Sequence, residues 1–313
     1  MHTKLIPWLL DGDVSIQYQV HRDLLSIERS DLQMRIETEG WGKAFLSQQK
    51  SDGNWGMGFY QPKWISTHYT LLDLKCLGIF HAIAPIQQTL FNLLKTQKSE
   101  DGGINPARTI LQSDVCVNGM FLNYACYFRA AQSELVSIVD FILSQQLPDG
   151  GFNCRSNRSG AKHSSVHSSL SILEGIHEYT SNGYSYRKPE LQKVANDSEE
   201  FLLLHKLYQS CKTGKVMDKK MLMLSYPSRW YYDILRALDY FQLSKHPFDE
   251  RMMPAIEILL AKRRNDSTWP LQAKHPGLTH FEMEKAGKSS RWNTLRALRV
   301  LKHFNIPLKE NQF

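Results

Sequence analysis

The sequence has none of the features of a membrane-spanning or secreted protein. No apolar run approaches the ~20 residues needed to cross a bilayer. The apolar stretch within residues 1–13 is too short for a secretion signal and lacks a small-residue cleavage site. We therefore expect a cytoplasmic protein without a transmembrane segment.

Blocks of basic residues are also absent, although the formal net charge is +7 and the isoelectric point is about 9.0. Lysine and arginine are spread over many predicted helices rather than gathered in one run. Such dispersal argues against a nucleic-acid partner. A cavity that receives an anion accounts for the positive charge equally well.

Cysteine is scarce and odd in number. The five cysteines are Cys76, Cys116, Cys126, Cys154 and Cys211. Disulfides persist in oxidising compartments, and nothing in the sequence indicates secretion. We therefore expect these residues to be core side chains, metal ligands or catalysts rather than disulfide partners.

What the sequence does contain is an internal repeat, in which a helical pattern ends at Asp-Gly and an apolar residue follows. The copies span residues 45–55, 93–104, 142–152 and, in a degenerate form, 258–269. Gly53, Gly102 and Gly150 recur at intervals of 49 and 48 residues. Because glycine suits the left-handed turn that ends a helix, each copy predicts a helix followed by a tight turn.

A second helical segment follows each turn and is richer in apolar and small residues. Segments of this kind span residues 13–25, 66–78, 113–127, 163–176, 227–241 and 289–301. The contrast predicts two layers, with buried inner helices and half-exposed outer ones. Six inner and five to six outer helices would form a single all-α domain over residues 1–313, an α/α toroid. An open helical solenoid has similar hairpins and remains the alternative.

The Gln, Asp-Gly-Gly and aromatic pattern of the repeat resembles that of squalene cyclases and of the β subunits of protein prenyltransferases. It covers roughly residues 40–300, and the resemblance implies the toroid fold. Cyclases of this type protonate an alkene with an Asp-x-Asp-Asp cluster, whereas residues 113–117 hold only one carboxylate, Asp114. A single aspartate would ionise near its ordinary pKa, so ordinary cyclase activity is not expected.

The zinc-binding prenyltransferase branch fits better. Its members hold zinc with Asp-x-Cys at the start of one inner helix and with a histidine at the start of the next. The resemblance therefore implies a Zn²⁺ site at Asp114, Cys116 and His167. Cys154 and His163 are the nearest spare ligands, and Cys116, Cys154 and His167 form the alternative set. Such a set leaves a fourth position for water or substrate. Each of the three has an ordinary structural alternative, as a helix cap, a small core residue or a core histidine.

Four basic side chains near the starts of inner helices are candidates to hold a phosphate or carboxylate. They are His68, Arg108, Arg229 and Arg291. The first two match positions of the prenyltransferase diphosphate cradle, and the last two lie in repeated Ser-Arg-Trp segments. The family's lysine and tyrosine near the zinc are replaced by Leu111 and Val117, so protein prenylation itself is not predicted.

Three functions follow from these patterns. The first is a zinc-dependent, transferase-like or cyclase-like enzyme that activates a thiol or water against a hydrophobic or anionic small molecule, such as an isoprenoid diphosphate. The second is a metal-free terpenoid cyclase or isoprenoid-binding relative, and the third is a non-catalytic scaffold. The resemblance also implies a partner subunit.

A long polar segment at residues 275–285 predicts a lid over one mouth of the barrel.

Overall fold

The computed structural model describes residues 5–106 and 110–308, and within these ranges the protein is mostly α-helical. In chain order the helices are α1 (Leu5–Leu10), α2 (Val14–Gln19), α3 (Ser30–Arg35), α4 (Gly40–Leu46), α5 (Thr67–Leu77), α6 (Ala84–Thr96), α7 (Val115–Tyr127), α8 (Gln132–Ser144), α9 (Ser156–Ser159), α10 (Val166–Ser181), α11 (Lys188–Leu204), α12 (Ile234–Leu243), α13 (Met253–Ala261) and α14 (Arg291–His303). A π-helical turn (Val20–Leu25) extends α2. Short 3₁₀ turns span Lys219–Leu222 and Glu250–Met252, and strands β1 (Trp269–Pro270) and β2 (Ser289–Ser290) form a small antiparallel ribbon.

The helices are of two kinds, as the sequence predicts. Helix α7 buries eleven of its thirteen residues, so it is surrounded by protein. Helix α6, of the same length, buries five, which recur every three or four positions and therefore form one face. We call α2 with its π-helical turn, α5, α7, α10, α12 and α14 the inner helices.

The Asp-Gly turns form as predicted. Gly53, Gly102 and Gly150 have φ angles of 81°, 85° and 92°, in the left-handed region that glycine adopts without a steric penalty. In the degenerate copy Ser267 takes the same place with φ of 69°. The backbone N–H groups of all four residues donate to the carbonyl three positions earlier.

The residue after each turn is tied to the next inner helix, which explains the repeat physically. Its backbone N–H donates to a polar side chain in the first turns of that helix. These bonds join Trp55 to Thr67 (3.0 Å), Ile104 to Asn118 (2.7 Å), Phe152 to Ser169 (2.9 Å) and Trp269 to Thr294 (2.9 Å). The indoles of Trp55 and Trp269 also donate to carbonyls of the preceding outer helix, both at 2.7 Å.

One inner helix begins later than the sequence pattern predicts. Helix α12 begins at Ile234 rather than at residue 227, and the carboxylate of Asp233 caps it by accepting the N–H of Arg236 at 2.9 Å. The preceding residues form a loop, because Arg229 has a φ of 55°, which does not continue a right-handed helix. This loop brings Arg229 into the interior.

The inner helices pack against one another in chain order. Contacts join α5 to α7, α7 to α10, α10 to α12 and α12 to α14. Helix α14 also contacts α2 and its π-helical turn, although these lie at opposite ends of the chain. Gln19 on α2 donates to the carbonyls of Cys76 and Leu77 at the end of α5, at 2.9 and 3.1 Å.

Candidate functional site

A cavity of about 200 Å³ lies between the inner helices. All six of them contribute residues to its wall, and the remaining residues are Gly78, just after α5, and the loop at residues 226–229. The wall is rich in charged side chains, which is unusual for the interior of a helical protein, where charges are rarely buried unless they are paired. The pairing of those charges therefore identifies which of them are available to a ligand.

Most charges in the wall are neutralised by a bonded partner. The pairs are Arg236 with Glu174, Lys75 with Glu178, Arg296 with Asp239, Arg299 with Asp239 and Asp23, and Arg22 with Asp23. Their closest nitrogen–oxygen distances lie between 2.6 and 3.1 Å. These pairs hold neighbouring helices together, and their charges are already satisfied.

Asp73 and Arg229 are the exception. Their side chains are only 3% and 6% exposed, and the closest approach, from Asp73 Oδ2 to Arg229 Nη2, is 3.9 Å. That distance is too long for a hydrogen bond. Both Asp73 Oδ2 and Arg229 Nε are buried without a hydrogen-bond partner among the described residues. Folded proteins leave few buried polar groups unpaired, so this pair marks the place in the cavity where a ligand would bind.

Burial changes the protonation of this pair. Loss of solvation raises the pKa of Asp73 to about 6, and the nearby Arg229 guanidinium opposes that rise. Burial lowers the pKa of Arg229, which the carboxylate of Asp73 opposes, but an arginine remains charged at any physiological pH. A carboxyl group that titrates near neutrality is suited to donate or accept a proton during a reaction.

Arg229 is held in place by unusual backbone geometry and by an aromatic ring. Its φ is 55°, and the φ of Trp64 is 74°, both in a region that residues with a side chain seldom adopt. The guanidinium carbon of Arg229 lies 4.6 Å from the centre of the Trp64 ring. Left-handed residues of this type often occur at functional sites, where surrounding contacts hold them.

The polar segment predicted to be a lid covers a second cavity, of about 240 Å³, that shares Arg229 with the first. Three contacts join this polar segment to the rest of the protein. They are hydrogen bonds between Trp64 Nε1 and Pro276 O (2.6 Å) and between Thr70 Oγ1 and His280 Nε2 (2.9 Å), and the stacked rings of Tyr231 and His275 (3.7 Å between centroids). Arg229 and Tyr226 therefore separate the space beneath this segment from the cavity between the inner helices.

The predicted zinc ligands lie near the N-terminal ends of α7 and α10, where they make other contacts. Both carboxylate oxygens of Asp114 bind Arg158. Cys116 is joined to Cys154 by a disulfide, with 6.0 Å between the Cα atoms. The expectation that no cysteine forms a disulfide is therefore wrong for this pair. The turn after Gly151 brings Cys154 beside the first turn of α7, where it accepts the N–H of Cys116.

His167 is also committed to another contact. Its Nδ1 accepts the backbone N–H of Tyr232 at 2.9 Å, and burial, together with Arg236, lowers its pKa to about 4. A neutral ring that accepts at Nδ1 carries its proton on Nε2, so no lone pair is left for a metal. His163 is mostly exposed. Within residues 5–106 and 110–308 no group of three or more His, Cys, Asp or Glu side chains could hold a metal ion. In this arrangement the predicted ligands do not fit Zn²⁺.

The four predicted anion-binding residues have different surroundings. Arg229 lines the cavity, as described. His68 is fully buried among aromatic rings, and burial lowers its pKa to about 3. Arg291 donates to the carbonyl of Trp8 at 2.9 Å and packs on that ring, away from the cavity. Arg108 lies outside the described residues. Of the three that the structure describes, Arg229 is the one that lines the cavity.

Sequence reasoning missed Asp73. The available signal was its position, a carboxylate with leucines at positions 71, 72 and 74 beside it in a segment predicted to be an inner helix. A charge in a helix that is buried on all sides needs a partner or a function. Asn123 on α7 is a second case, because its Oδ1 is buried without a partner in the described part of the chain and the residue lines the same cavity.

Two further findings concern the chain as a whole. Within the part of the chain that the structure describes, none of the helices is both long enough and apolar enough to cross a bilayer. No model of a known protein family matches the chain, and no curated protein matches it.

Proposed function

We propose that the chain is an α/α toroid enzyme whose central cavity binds and transforms a small polar molecule. In this proposal Asp73 donates or accepts a proton, and Arg229 anchors the substrate. The observation that carries it is the buried pair of Asp73 and Arg229, in which Asp73 Oδ2 and Arg229 Nε find no hydrogen-bond partner among the described residues. Such a pair destabilises the fold unless a ligand uses it, and locally unfavourable arrangements of this kind are expected at functional sites.

Contacts between the two ends of the chain support the toroid. Arg299 on α14 binds Asp23 at 3.1 Å, and Gln19 on α2 binds the end of α5. The remaining inner helices contact their neighbours in order. In an open solenoid the first and last units contact only their own neighbours. A ring also agrees with the resemblance to prenyltransferase β subunits and squalene cyclases.

The character of the cavity favours a small polar substrate over a hydrophobic one. Pockets that hold drug-sized molecules usually measure roughly 300–1,000 Å³ and are mostly apolar, whereas this cavity measures about 200 Å³ and has a charged wall. An isoprenoid diphosphate, which the resemblance implies, suits it poorly. A scaffold is also less consistent with it, since a scaffold gains nothing from unpaired buried charges.

The geometry suggests proton transfer as the reaction type. Near pH 7 the carboxyl group of Asp73 is mostly ionised and can accept a proton, and below about pH 6 it can return one. Arg229, 3.9 Å away, would stabilise negative charge that develops on the substrate. Both side chains are already dehydrated, so their electrostatic effect on a bound molecule is stronger than in water.

Cys76 provides a direct test, because its thiol is accessible to water inside the cavity while protein surrounds it. Cys211 is exposed elsewhere and serves as the internal control. Because burial raises the pKa of the Cys76 thiol to about 11 and the thiolate is the reactive form, alkylation of Cys76 is slow and needs excess iodoacetamide and a long time course. The protein is treated in this way in the presence of a library of small acids, alcohols, amides and sugars, and mass spectrometry follows alkylation of each cysteine. We expect one or more compounds to slow alkylation at Cys76 but not at Cys211, and to be converted to a product.

Two variants distinguish the proposed roles. Asp73→Asn should retain protection of Cys76 and lose turnover at least 100-fold, since it removes a proton-transfer group. Arg229→Met should lose both protection and turnover. Failure of every compound to protect Cys76 selectively, or unchanged turnover in Asp73→Asn, would contradict the proposal.

Zinc at the mouth of the barrel stays a prediction from the resemblance. It requires reduction of the Cys116–Cys154 disulfide and release of Asp114 from Arg158. Metal analysis of protein purified under reducing conditions tests it. Stoichiometric zinc that is lost in Cys116→Ser and kept in Cys126→Ser would support the site, and metal content that Cys116→Ser leaves unchanged would remove it.

A further inference from the structure

We infer that the cavity takes a small carboxylate, which binds Arg229 and enters together with one proton that Asp73 takes up. The inference rests on the proposed function above, because it names the ligand class for the same cavity. It is argued from the charge balance of the wall, from the pairing of its cations and from the short separation of Asp73 and Arg229.

The wall of the cavity is positively charged. Six cationic side chains line it against four carboxylates. Asp23, just behind the wall, binds Arg22 and Arg299 and lowers the excess to one positive charge when all groups are ionised. Charge of one sign in an enclosed, poorly solvated space attracts a ligand of opposite sign. The cavity therefore favours an anion.

The pairing of the cations limits the charge of that anion. Among the cations of the wall, all of which lie in the described residues, Arg229 alone makes no hydrogen bond to a carboxylate. One guanidinium accommodates one carboxylate through two parallel hydrogen bonds. A phosphate dianion would bring a second negative charge without a second free cation. A monoanionic carboxylate is therefore the better match.

Asp73 must respond to such a ligand. A carboxylate bound to the guanidinium of Arg229 would lie within a few ångströms of the carboxyl group of Asp73, which approaches the same guanidinium to 3.9 Å. Two carboxylates that share a buried site cannot both remain ionised. Burial already raises the pKa of Asp73 to about 6 against the opposing effect of Arg229. A ligand that neutralises Arg229 removes that opposition, and Asp73 takes up a proton.

The other titratable groups around Asp73 do not compete for this role. Cys76 on α5, Tyr226 in the loop, Glu174 on α10 and Arg296 on α14 line the cavity with Asp73. Tyr69 on α5 lies outside that lining but interacts with Arg229. Burial raises the pKa of both tyrosines and of the Cys76 thiol, so these three stay neutral. Glu174 and Arg296 are held by Arg236 and Asp239. Arg229 is therefore the charge that sets the protonation of Asp73.

The experiment measures carboxylate binding as a function of pH. Acetate, lactate and pyruvate are the probes, with acetamide and lactamide as neutral analogues and inorganic phosphate as the competing anion. Binding is followed by the slowing of Cys76 alkylation relative to the ligand-free protein at the same pH, and by calorimetry in buffers of different ionisation heat. We expect one or more carboxylates to bind, with affinity falling about tenfold per pH unit above pH 7, and uptake of about one proton per ligand at pH 7.5.

Substitutions at Arg229 and Asp73 distinguish the roles of the two side chains in binding. Arg229→Met should weaken carboxylate binding at least tenfold, and Arg229→Lys should weaken it less because the positive charge remains. Asp73→Asn should keep binding but lose its pH dependence and its proton uptake. Circular dichroism and the melting temperature show whether each variant folds. If Arg229→Met does not fold, the comparison of Arg229→Lys with the wild type replaces it.

The outcomes also separate this inference from the proposed function. Equal protection of Cys76 by the neutral amides or by phosphate would overturn the carboxylate class while leaving the cavity as the binding site. Carboxylate affinity that does not depend on pH would overturn the coupled proton. If none of the probes protects Cys76 but another compound of the wider library does, the inference fails and the proposed function stands.

Discussion

At the scale of single residues, the most informative side chain is Asp73. It lies between leucines at positions 72 and 74 of an inner helix, and burial raises its pKa to about 6. The folded state therefore holds this proton more tightly than the unfolded chain, where the ordinary pKa is near 3.8. Stability linked to Asp73 is present below about pH 4 and is lost as the pH rises to about 6.

Asp73→Asn should remove this pH dependence. The wild type should lose about 2 kcal/mol of its free energy of unfolding between pH 4 and pH 7 through this group, and Asp73→Asn should not show that loss. Urea unfolding at the two pH values measures the difference. Asp11→Asn is the control, since the side chain of Asp11 is 86% exposed. Parallel pH profiles for Asp73→Asn and the wild type would contradict the buried, perturbed carboxyl group.

At the scale of helices and turns, the closest packing joins α7 and α10. A Cβ atom added to Gly119 would lie 2.5 Å from the carbonyl oxygen of Ser171, and one added to Gly175 would lie 2.5 Å from the carbonyl oxygen of Gly119. The two backbones therefore approach more closely than any side chain permits. Asn123 and Glu174, which line the cavity, lie on these two helices one turn or less from the glycines.

Gly119→Ala and Gly175→Ala should each destabilise the protein, although alanine favours helix by ~1 kcal/mol. The backbone oxygen at 2.5 Å cannot move without separating the helices, and such overpacking typically costs about 1–3 kcal/mol or more. We expect a lower melting temperature and a weaker response to cavity ligands. Glu257→Ala, at an exposed position of α13, is the control. A melting temperature equal to or above that of the wild type would show that the helices are not in backbone contact.

Turns and helices were also the features most readily predicted from the sequence. The left-handed conformation of Gly53, Gly102 and Gly150 was expected from the Asp-Gly pairs, and the alternation of buried and half-exposed helices was expected from their apolar content. The start of α12 was placed seven residues too early. A helical pattern continues through residues 227–233, but the left-handed backbone at Arg229 ends it.

At the scale of the whole molecule, Asp239 connects the last inner helix to its neighbour. It accepts hydrogen bonds from Arg296 at 3.0 Å and from Arg299 at 2.6 Å, and Arg299 continues to Asp23 near the start of the chain. Burial alone would raise the pKa of Asp239, but the two arginines outweigh it and hold that pKa below its usual range. In the proposed toroid this network closes the ring.

Asp239→Asn should destabilise the fold by about 3–5 kcal/mol, because it leaves two nearly buried arginines without their shared counter-charge. Asp140→Asn removes a surface pair with Arg187 and should cost about 1 kcal/mol or less. Urea unfolding of both variants at pH 7 measures the contrast. Equal and small effects of the two substitutions would mean that the buried network does not hold the ends of the chain together.

The candidate site could be predicted only in part. Arg229 was identified as an anion-binding candidate from its Ser-Arg-Trp segment, and the structure brings it to the cavity. Asp73, its counterpart, was not identified, because nothing near it in the sequence shows that it faces Arg229. Cys116 and Cys154 were both noted as candidate ligands, but their spacing in the sequence did not reveal that they lie side by side.

The sequence by itself determined the local structure of this protein. Helix burial patterns and Asp-Gly turns depend on residues within a few positions of one another, so their residue types suffice to predict them. Only the tertiary structure decided which charges are paired by hydrogen bonds and which are not. Arg236 finds Glu174, and Arg296 finds Asp239, on neighbouring helices, whereas Asp73 and Arg229 stop 3.9 Å apart. Hydrogen bonds form or fail within about half an ångström, and that separation is set by the packing of helices from distant parts of the chain.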